Sequence, residues 1–236
     1  MSGKFFGIGV GPGDPDLLTL KAAKIIKEAD VIIAPRTQKK QESTALAIAR
    51  PFIAKDAEIL QLVFPMVNER QTLSDAWENN KNVVLEFLGA DKKVAFLTLG
   101  DPMLYSTYIY IYRLLEHCGY PIETIPGVTS FCSIGSRLNF PLVEGNDIIS
   151  IVPATNGEEK LDQVMAMSDN IVLMKVYKNY NQVVEKLRRH GLADNAVMVS
   201  NCGLEEEEIV YDLKNEANHK VNYLTTILAR KQPAGK

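Results

Sequence analysis

Strand and helix patterns alternate through the first half of this 236-residue chain, apolar runs stop at glycine-rich turns, and a Gly-Asp-Pro turn occurs twice at the same point of that rhythm. These observations predict an α/β protein of two domains, residues 1–120 and 121–236, with mostly parallel or mixed sheets. Strand-helix-strand alternation implies parallel pairing, and open α/β sheets bind ligands outside the carboxyl ends of their strands. The expected site is therefore a crevice built from strand-end loops.

The elements follow in order. Phe5 to Val10 reads as a strand, Gly11-Pro12-Gly13-Asp14-Pro15 as a turn, and Leu17 to Ala29 as an apolar helix. Val31 to Ala34 is a short buried strand, Thr44 to Arg50 a helix stopped by Pro51, Ile59 to Val63 a strand and Leu73 to Leu88 a helix. Lys93 to Leu99 gives a strand that ends at the second Gly-Asp-Pro, and Leu104 to His117 a helix closed by Gly119. Beyond Tyr120 the spacing predicts strands at Ile122 to Ile125, Ile148 to Val152, Ile171 to Val176 and Ala196 to Val199. Helices separate them at Thr129 to Leu138, Glu158 to Met167 and Tyr180 to Arg189. Glu208 to Asp212 and Tyr223 to Ala229 have little helical pattern between them, which predicts an antiparallel finish.

Composition narrows the function. A net charge of -3, with a pI near 5.7, gives no global basic field and argues against nucleic acid or an anionic membrane as partner. Three cysteines without a C-x-x-C, and three histidines without metal-ligand spacing, suggest no disulfide framework and no metal site. No apolar run reaches membrane-spanning length, and Met1-Ser2-Gly3-Lys4 leads into a strand rather than an export signal, so the expectation is a cytoplasmic protein.

Gly7, Gly9, Gly11 and Gly13 invite a dinucleotide-binding reading, but the third glycine position falls on Asp14 or Pro12. Each Gly-Asp-Pro also has a mechanical explanation: glycine turns the chain, aspartate caps the next helix, and proline occupies a first-turn position whose missing N–H costs nothing. The pair gains weight from Pro126-Gly127-Val128-Thr129-Ser130-Phe131 and from Leu173-Met174-Lys175-Val176-Tyr177, which add two more strand-end loops.

Gly11 to Pro15 with Leu17-Leu18-Thr19-Leu20-Lys21-Ala22-Ala23, the Gly100-Asp101-Pro102 loop and the Pro126 to Thr129 turn resemble the tetrapyrrole methylase superfamily of S-adenosylmethionine-dependent methyltransferases. Within it, Gly100 to Thr107, Pro126 to Phe131, Pro141-Leu142-Val143-Glu144-Gly145-Asn146-Asp147 and Val152-Pro153-Ala154-Thr155 are similar to the precorrin-2/cobalt-factor II C20-methyltransferases. The chain departs from them at Ala34-Pro35-Arg36-Thr37, where a tyrosine before the proline is usual.

The resemblance implies two α/β domains with an active-site trough between them, and methylation of C20 of a reduced tetrapyrrole in cobalamin biosynthesis. S-adenosylmethionine would be the methyl donor and S-adenosylhomocysteine the product, and the protein would be a homodimer. It implies donor contacts from Leu99, Gly100, Asp101, Leu104, Thr129, Ser130, Met174, Lys175, Thr225 and Thr226. Pro12, Gly13, Arg36 and Arg137 would face the eight-carboxylate substrate, with Lys39, Lys40, Lys175 and Lys178 as further cations. Asp14, Tyr105 and Glu144 are the candidates to accept the C20 proton. Rival readings are a superfamily methylase acting on another tetrapyrrole carbon, on ribosomal RNA ribose or on a diphthine precursor, and a non-catalytic nucleotide-binding module. Tyr105-Ser106-Thr107 and Pro141 to Gly145 favour C20 over these rivals, and the low basic content speaks against RNA.

Overall fold

Five strands, β1 (Lys4–Gly9), β2 (Val31–Arg36), β3 (Glu58–Val63), β4 (Lys93–Thr98) and β5 (Ile122–Ile125), form an all-parallel sheet in the order β3-β2-β4-β1-β5. The computed structural model describes residues 3–36, 42–64, 70–155, 157–213 and 221–231. Parallel neighbours need crossovers, supplied here by α1 (Leu20–Glu28), α2 (Thr44–Ala49), α3 (Arg70–Gly89) and α4 (Tyr108–Leu115). Phe5, Val31, Ile33, Val94 and Phe96 pack with Val84 and Leu88 of α3 and Ile111 and Leu115 of α4. The alternate residues Ile8, Ile32, Ala95 and Leu97 are buried as well, as a sheet covered on both faces requires.

Tyr108 fixes this packing. Its fully buried ring lies so close over Gly7 that a Cβ there would come within 2.1 Å of it, and its hydroxyl pairs with Thr124 Oγ1 at 2.7 Å.

The helices after the two Gly-Asp-Pro turns start later than their apolar patterns predict, because the turns consume residues. Asp14 caps a single 3-10 turn at Pro15–Leu17, and Thr19 Oγ1 then caps α1 by accepting from the Ala22 amide at 3.1 Å. In the second turn the left-handed backbone of Tyr105, φ 50°, delays α4 to Tyr108.

Two compact units divide the chain at Met1–Thr129 and Ser130–Lys236. The expected boundary at Tyr120 falls one strand short, because Ile122 to Ile125 pair with Phe5 to Ile8 and complete the first sheet.

The second sheet joins β6 (Ile149–Pro153), β7 (Asn170–Met174), β8 (Ala196–Ser200), β9 (Glu208–Val210) and β10 (Thr225–Arg230) in the order β6-β7-β10-β8-β9. Only β6 and β7 are parallel; the other three pairings are antiparallel, so the sheet is mixed. Its helices are α5 (Ser130–Arg137), α6 (Glu158–Met167) and α7 (Tyr180–Arg189). Val183 and Leu187 of α7 join Leu161 and Met165 of α6 in the core over Ile171, Leu173 and Met198. Buried Lys186 of α7 pairs with Asp162 of α6, which also meets His190 Nε2 at 3.1 Å. The Lys186 ammonium, with His190 behind it, holds the Asp162 carboxyl below the usual carboxylate range.

Candidate active site

At the carboxyl edge of the first sheet three loops close on one another. The Gly100 amide donates to the Gly11 carbonyl at 2.8 Å, so the two Gly-Asp-Pro turns form an antiparallel bridge instead of standing apart. Gly11 and Gly100 have φ of 79° and 71°, which a side chain would resist. A Cβ on Gly127 would lie 2.1 Å from the Gly100 carbonyl oxygen, and one on Gly9 would lie 2.5 Å from the Gly127 nitrogen. Backbone therefore touches backbone where β1 ends and the turn after β5 begins.

Asp101 ties the same loops through its side chain: Oδ1 accepts from the Met103 amide at 2.8 Å and Oδ2 from the Gly127 amide at 3.0 Å. Both oxygens serve main-chain donors. The sequence marks Asp101 as a cap; that it also reaches the Pro126-Gly127 turn is visible only in the fold.

Leu99 and Leu104 are half-buried on this loop, while Pro12 and Gly13 are buried and shape the turn by backbone. Arg36 ends β2 and, counting from the Ile33–Phe96 pairing, stands level with Leu99, half-buried at the same edge. Asp14 caps its turn through Oδ1, and Tyr105 stands 42% exposed on the loop before α4. Lys39 and Lys40 lie outside the described residues.

Two hydroxyls stand out at this edge, one of them on a residue that the resemblance already assigns to the donor. Thr98, at the end of β4, and Thr129, at the end of the Pro126 turn, each bury Oγ1 with no hydrogen-bond partner among the described residues. A buried unpaired hydroxyl is costly, so both sites hold unused hydrogen-bonding capacity where a ligand is expected. Thr98 is not legible in the sequence, because a threonine ending an apolar strand carries no local signal.

In the second unit, Thr226 pairs with Met174 and Thr225 with Ser200, which places the expected residues of β7 and β10 on one edge. Thr225 Oγ1 is bonded to Ser200 Oγ at 2.7 Å in a buried pair, and Thr226 Oγ1 lies 3.4 Å from Ser130 Oγ at the start of α5. Lys175 follows Met174 in a left-handed conformation, φ 59° and ψ 38°.

Two expected residues are placed elsewhere. Glu144 pairs with Arg230, whose strand partner is Asn170, at the far end of β7 from Met174. Those ends are four residue steps apart, roughly 13 Å, so Glu144 does not join Met174, Thr225 and Thr226. Arg137 is engaged by Glu207 at 2.9 Å, and Glu207 also accepts from the Gly203 amide at 2.6 Å. The Arg137 guanidinium is thus committed within the unit instead of standing as an unneutralised cation.

Among the described residues no group of three or more histidine, cysteine or carboxylate side chains could hold a metal, and no helix is long and apolar enough to cross a membrane.

The chain can be set beside known proteins on this geometry. The family model for tetrapyrrole (corrin/porphyrin) methylases matches residues 4–216. The cobalt-precorrin-2 C(20)-methyltransferase of Salmonella typhimurium is 35% identical over 240 residues, 98% of each chain. The precorrin-2 C(20)-methyltransferase of Sinorhizobium sp is 30% identical over 234 residues, 96% of this chain and 94% of that one. Among solved structures, the uroporphyrin-III C-methyltransferase of Thermus thermophilus complexed with S-adenosyl homocysteine superposes with a TM-score of 0.70 at 23% identity. That match covers 96% of this chain and 97% of the other, and it shows a shared fold.

Proposed function

The chain belongs to the tetrapyrrole (corrin/porphyrin) methylase family, and from that premise we propose that it transfers the methyl group of S-adenosylmethionine to C20 of cobalt-precorrin-2 in cobalamin biosynthesis. The observation that carries this reading is 35% identity across 98% of both this chain and a relative named for that reaction. The cobalt-loaded substrate is favoured over the metal-free one by the higher identity to the Salmonella protein than to the Sinorhizobium protein, 35% against 30%.

The residues present fit the methyl donor. The buried Oγ1 of Thr129, without a partner among the described residues, and the side-chain-free backbone at Gly9, Gly100 and Gly127 supply a hydrogen-bonding group and close main-chain approach. Bound S-adenosylmethionine supplies an electrophilic sulfonium methyl, so the leaving group needs little acid-base help. The protein's share is alignment, where effective molarity contributes up to about 7–11 kcal/mol.

In this reading the backbone of Leu99 to Asp101 and the hydroxyls of Thr129 and Ser130 hold the donor, with Leu104 and Met174 against its apolar parts. Thr225 and Thr226 close the second sheet's edge, Thr225 through a hydroxyl that Ser200 already orients. Arg36 grips a substrate carboxylate, for which its planar fork is suited, and the Pro12-Gly13 turn and Lys175 line the substrate's approach. The C20 proton goes to Asp14 or Tyr105, the two candidates that stand on strand-end loops of the first sheet. In the same reading the protein acts as a homodimer in the cytoplasm.

The test is a parallel assay of purified protein with methyl-labelled donor and either cobalt-precorrin-2 or precorrin-2, the labelled carbon being located by NMR. Label at C20 with faster turnover of the cobalt form is expected; label at another carbon sinks the assignment. Sedimentation of the same preparation tests the dimer.

A further inference from the structure

Two tyrosines of the second unit pack against each other outside its core. Tyr177, in the turn after β7, and Tyr223, two residues before β10, meet edge to face with ring centroids 5.3 Å apart and planes at 60°. Neither belongs to the hydrophobic cluster of this unit, and Tyr223 is 52% exposed. The register of Thr226 on Met174 puts both rings at the edge that carries Met174, Thr225 and Thr226.

Both rings are presented by pinned backbone. Beside Tyr177, the Asn179 amide donates to the Val176 carbonyl at 3.1 Å and Asn179 Nδ2 to the Ala154 carbonyl at 3.2 Å. Beside Tyr223, the Leu224 amide donates to Asn222 Oδ1 at 2.6 Å, and the Leu224 carbonyl accepts from the Asn201 amide at 2.9 Å. Lys175 and Asn201 both hold left-handed backbone, φ 59° and 53°, which non-glycine residues adopt at a cost. Strain of this kind persists where surrounding contacts over-determine it, and it gathers at ligand sites.

The third member supplies charge. Lys178 is exposed, and its Nζ sits 5.7 Å above the Tyr177 ring. Flat aromatic surface, phenol donors and an ammonium together suit a planar ring with carboxylates on its rim. A purine would use the faces and leave the ammonium without a counter-charge, so the charge selects the acidic ligand.

We propose that Tyr177, Tyr223 and Lys178 seat one carboxylate-bearing pyrrole ring of the tetrapyrrole at this edge of the second sheet. The seat rests on the tetrapyrrole-methylase reading above and adds a substrate contact to it.

The experiment titrates the full chain with uroporphyrin III, a stable octacarboxylate tetrapyrrole, by fluorescence and with S-adenosylhomocysteine by calorimetry. Tyr223→Ala and Lys178→Glu are each expected to weaken uroporphyrin III by about fivefold to twentyfold, the scale of one charge-assisted or aromatic contact, and to leave S-adenosylhomocysteine within about twofold. Tyr223→Phe should retain most of the affinity. Lys178→Glu changes an exposed side chain and keeps the test open if Tyr223→Ala does not fold. Unchanged uroporphyrin III binding in Lys178→Glu, a loss confined to S-adenosylhomocysteine, or no uroporphyrin III binding by the unaltered chain overturns the seat. Uroporphyrin III binding that depends on these residues, without C20 product in the assay above, retains the seat and overturns the C20 reading alone.

Discussion

Asp101 holds the Gly127 amide from 26 residues away, with its second oxygen on the Met103 amide. The carboxylate thus acts as a clasp between two loops at the carboxyl edge of the first sheet. Asp101→Ala leaves both amides without that acceptor and is expected to cost about 1–3 kcal/mol. Asp101→Asn, which keeps an acceptor for one of them, should lose less. Chemical denaturation gives the stability difference, and calorimetry with S-adenosylhomocysteine shows whether the loosened loops also lose the ligand.

Gly127→Ala should be more damaging than its chemistry suggests. The added methyl would lie 2.1 Å from the Gly100 carbonyl oxygen, with backbone on both sides and no flexible side chain to give way. Overpacking of this kind costs about 1–3 kcal/mol or more. Gly157→Ala is the control: nothing lies within 4 Å of the added carbon. Thermal unfolding of the two variants should separate them clearly.

Thr129 and Thr225 should respond in opposite ways to Thr→Val. Thr129 Oγ1 is buried without a partner among the described residues, so Thr129→Val should leave stability nearly unchanged and weaken S-adenosylhomocysteine about tenfold, the worth of one hydrogen bond. Thr225 Oγ1 is paired with Ser200, so Thr225→Val strands a buried hydroxyl and should cost about 1–3 kcal/mol of stability. Adding Ser200→Ala should recover part of that loss, a coupling that a double-mutant cycle measures. Equal binding losses with no stability difference would contradict the pairing.

The α6–α7 contact predicts an acid-sensitive contribution to stability. Lys186 and then His190 lower the Asp162 pKa in the folded chain. A depressed carboxylate stabilises the fold above its unfolded pKa of about 3.9 and loses that contribution as pH falls through the lower folded value. Asp162→Asn should therefore lower the melting temperature at neutral pH, leave buried Lys186 without this partner, and flatten the acid limb of stability. An unchanged acid limb would show that the carboxylate does not titrate with unfolding.

Much of this architecture is legible in local pattern. Ile122 to Ile125, Glu158 to Met167 and Tyr180 to Arg189 occupy the predicted residues, because strand and helix periods are properties of neighbouring side chains. The weak helical pattern in the sequence after Glu208 also foreshadows the antiparallel finish, although Glu208–Val210 and Thr225–Arg230 pair with β8 from its two sides and not with each other. What stays hidden is non-local. No local signal places Ile122 to Ile125 beside Phe5 to Ile8, and the phase change at Tyr120 therefore marks the end of a helix instead of the end of a unit. Glu144 and Arg137 read as available charges until the fold brings Arg230 and Glu207 to them. The two Gly-Asp-Pro turns carry a visible signature, yet their bridge through Gly11 and Gly100 depends on β1 and β4 being neighbours.

The central place of β10 bears on how the protein is made. The first sheet has all five strands once the chain has emerged through Ile125, whereas β6-β7 and β8-β9 are joined only through Thr225–Arg230. Roughly a hundred residues lie between those points, or about 5–20 s of synthesis at ordinary rates. During that interval the growing chain carries a finished amino-terminal unit and two unsealed half-sheets with open strand edges. Stalling or truncation short of Thr225 should therefore yield a nascent chain prone to self-association, with its first unit already folded.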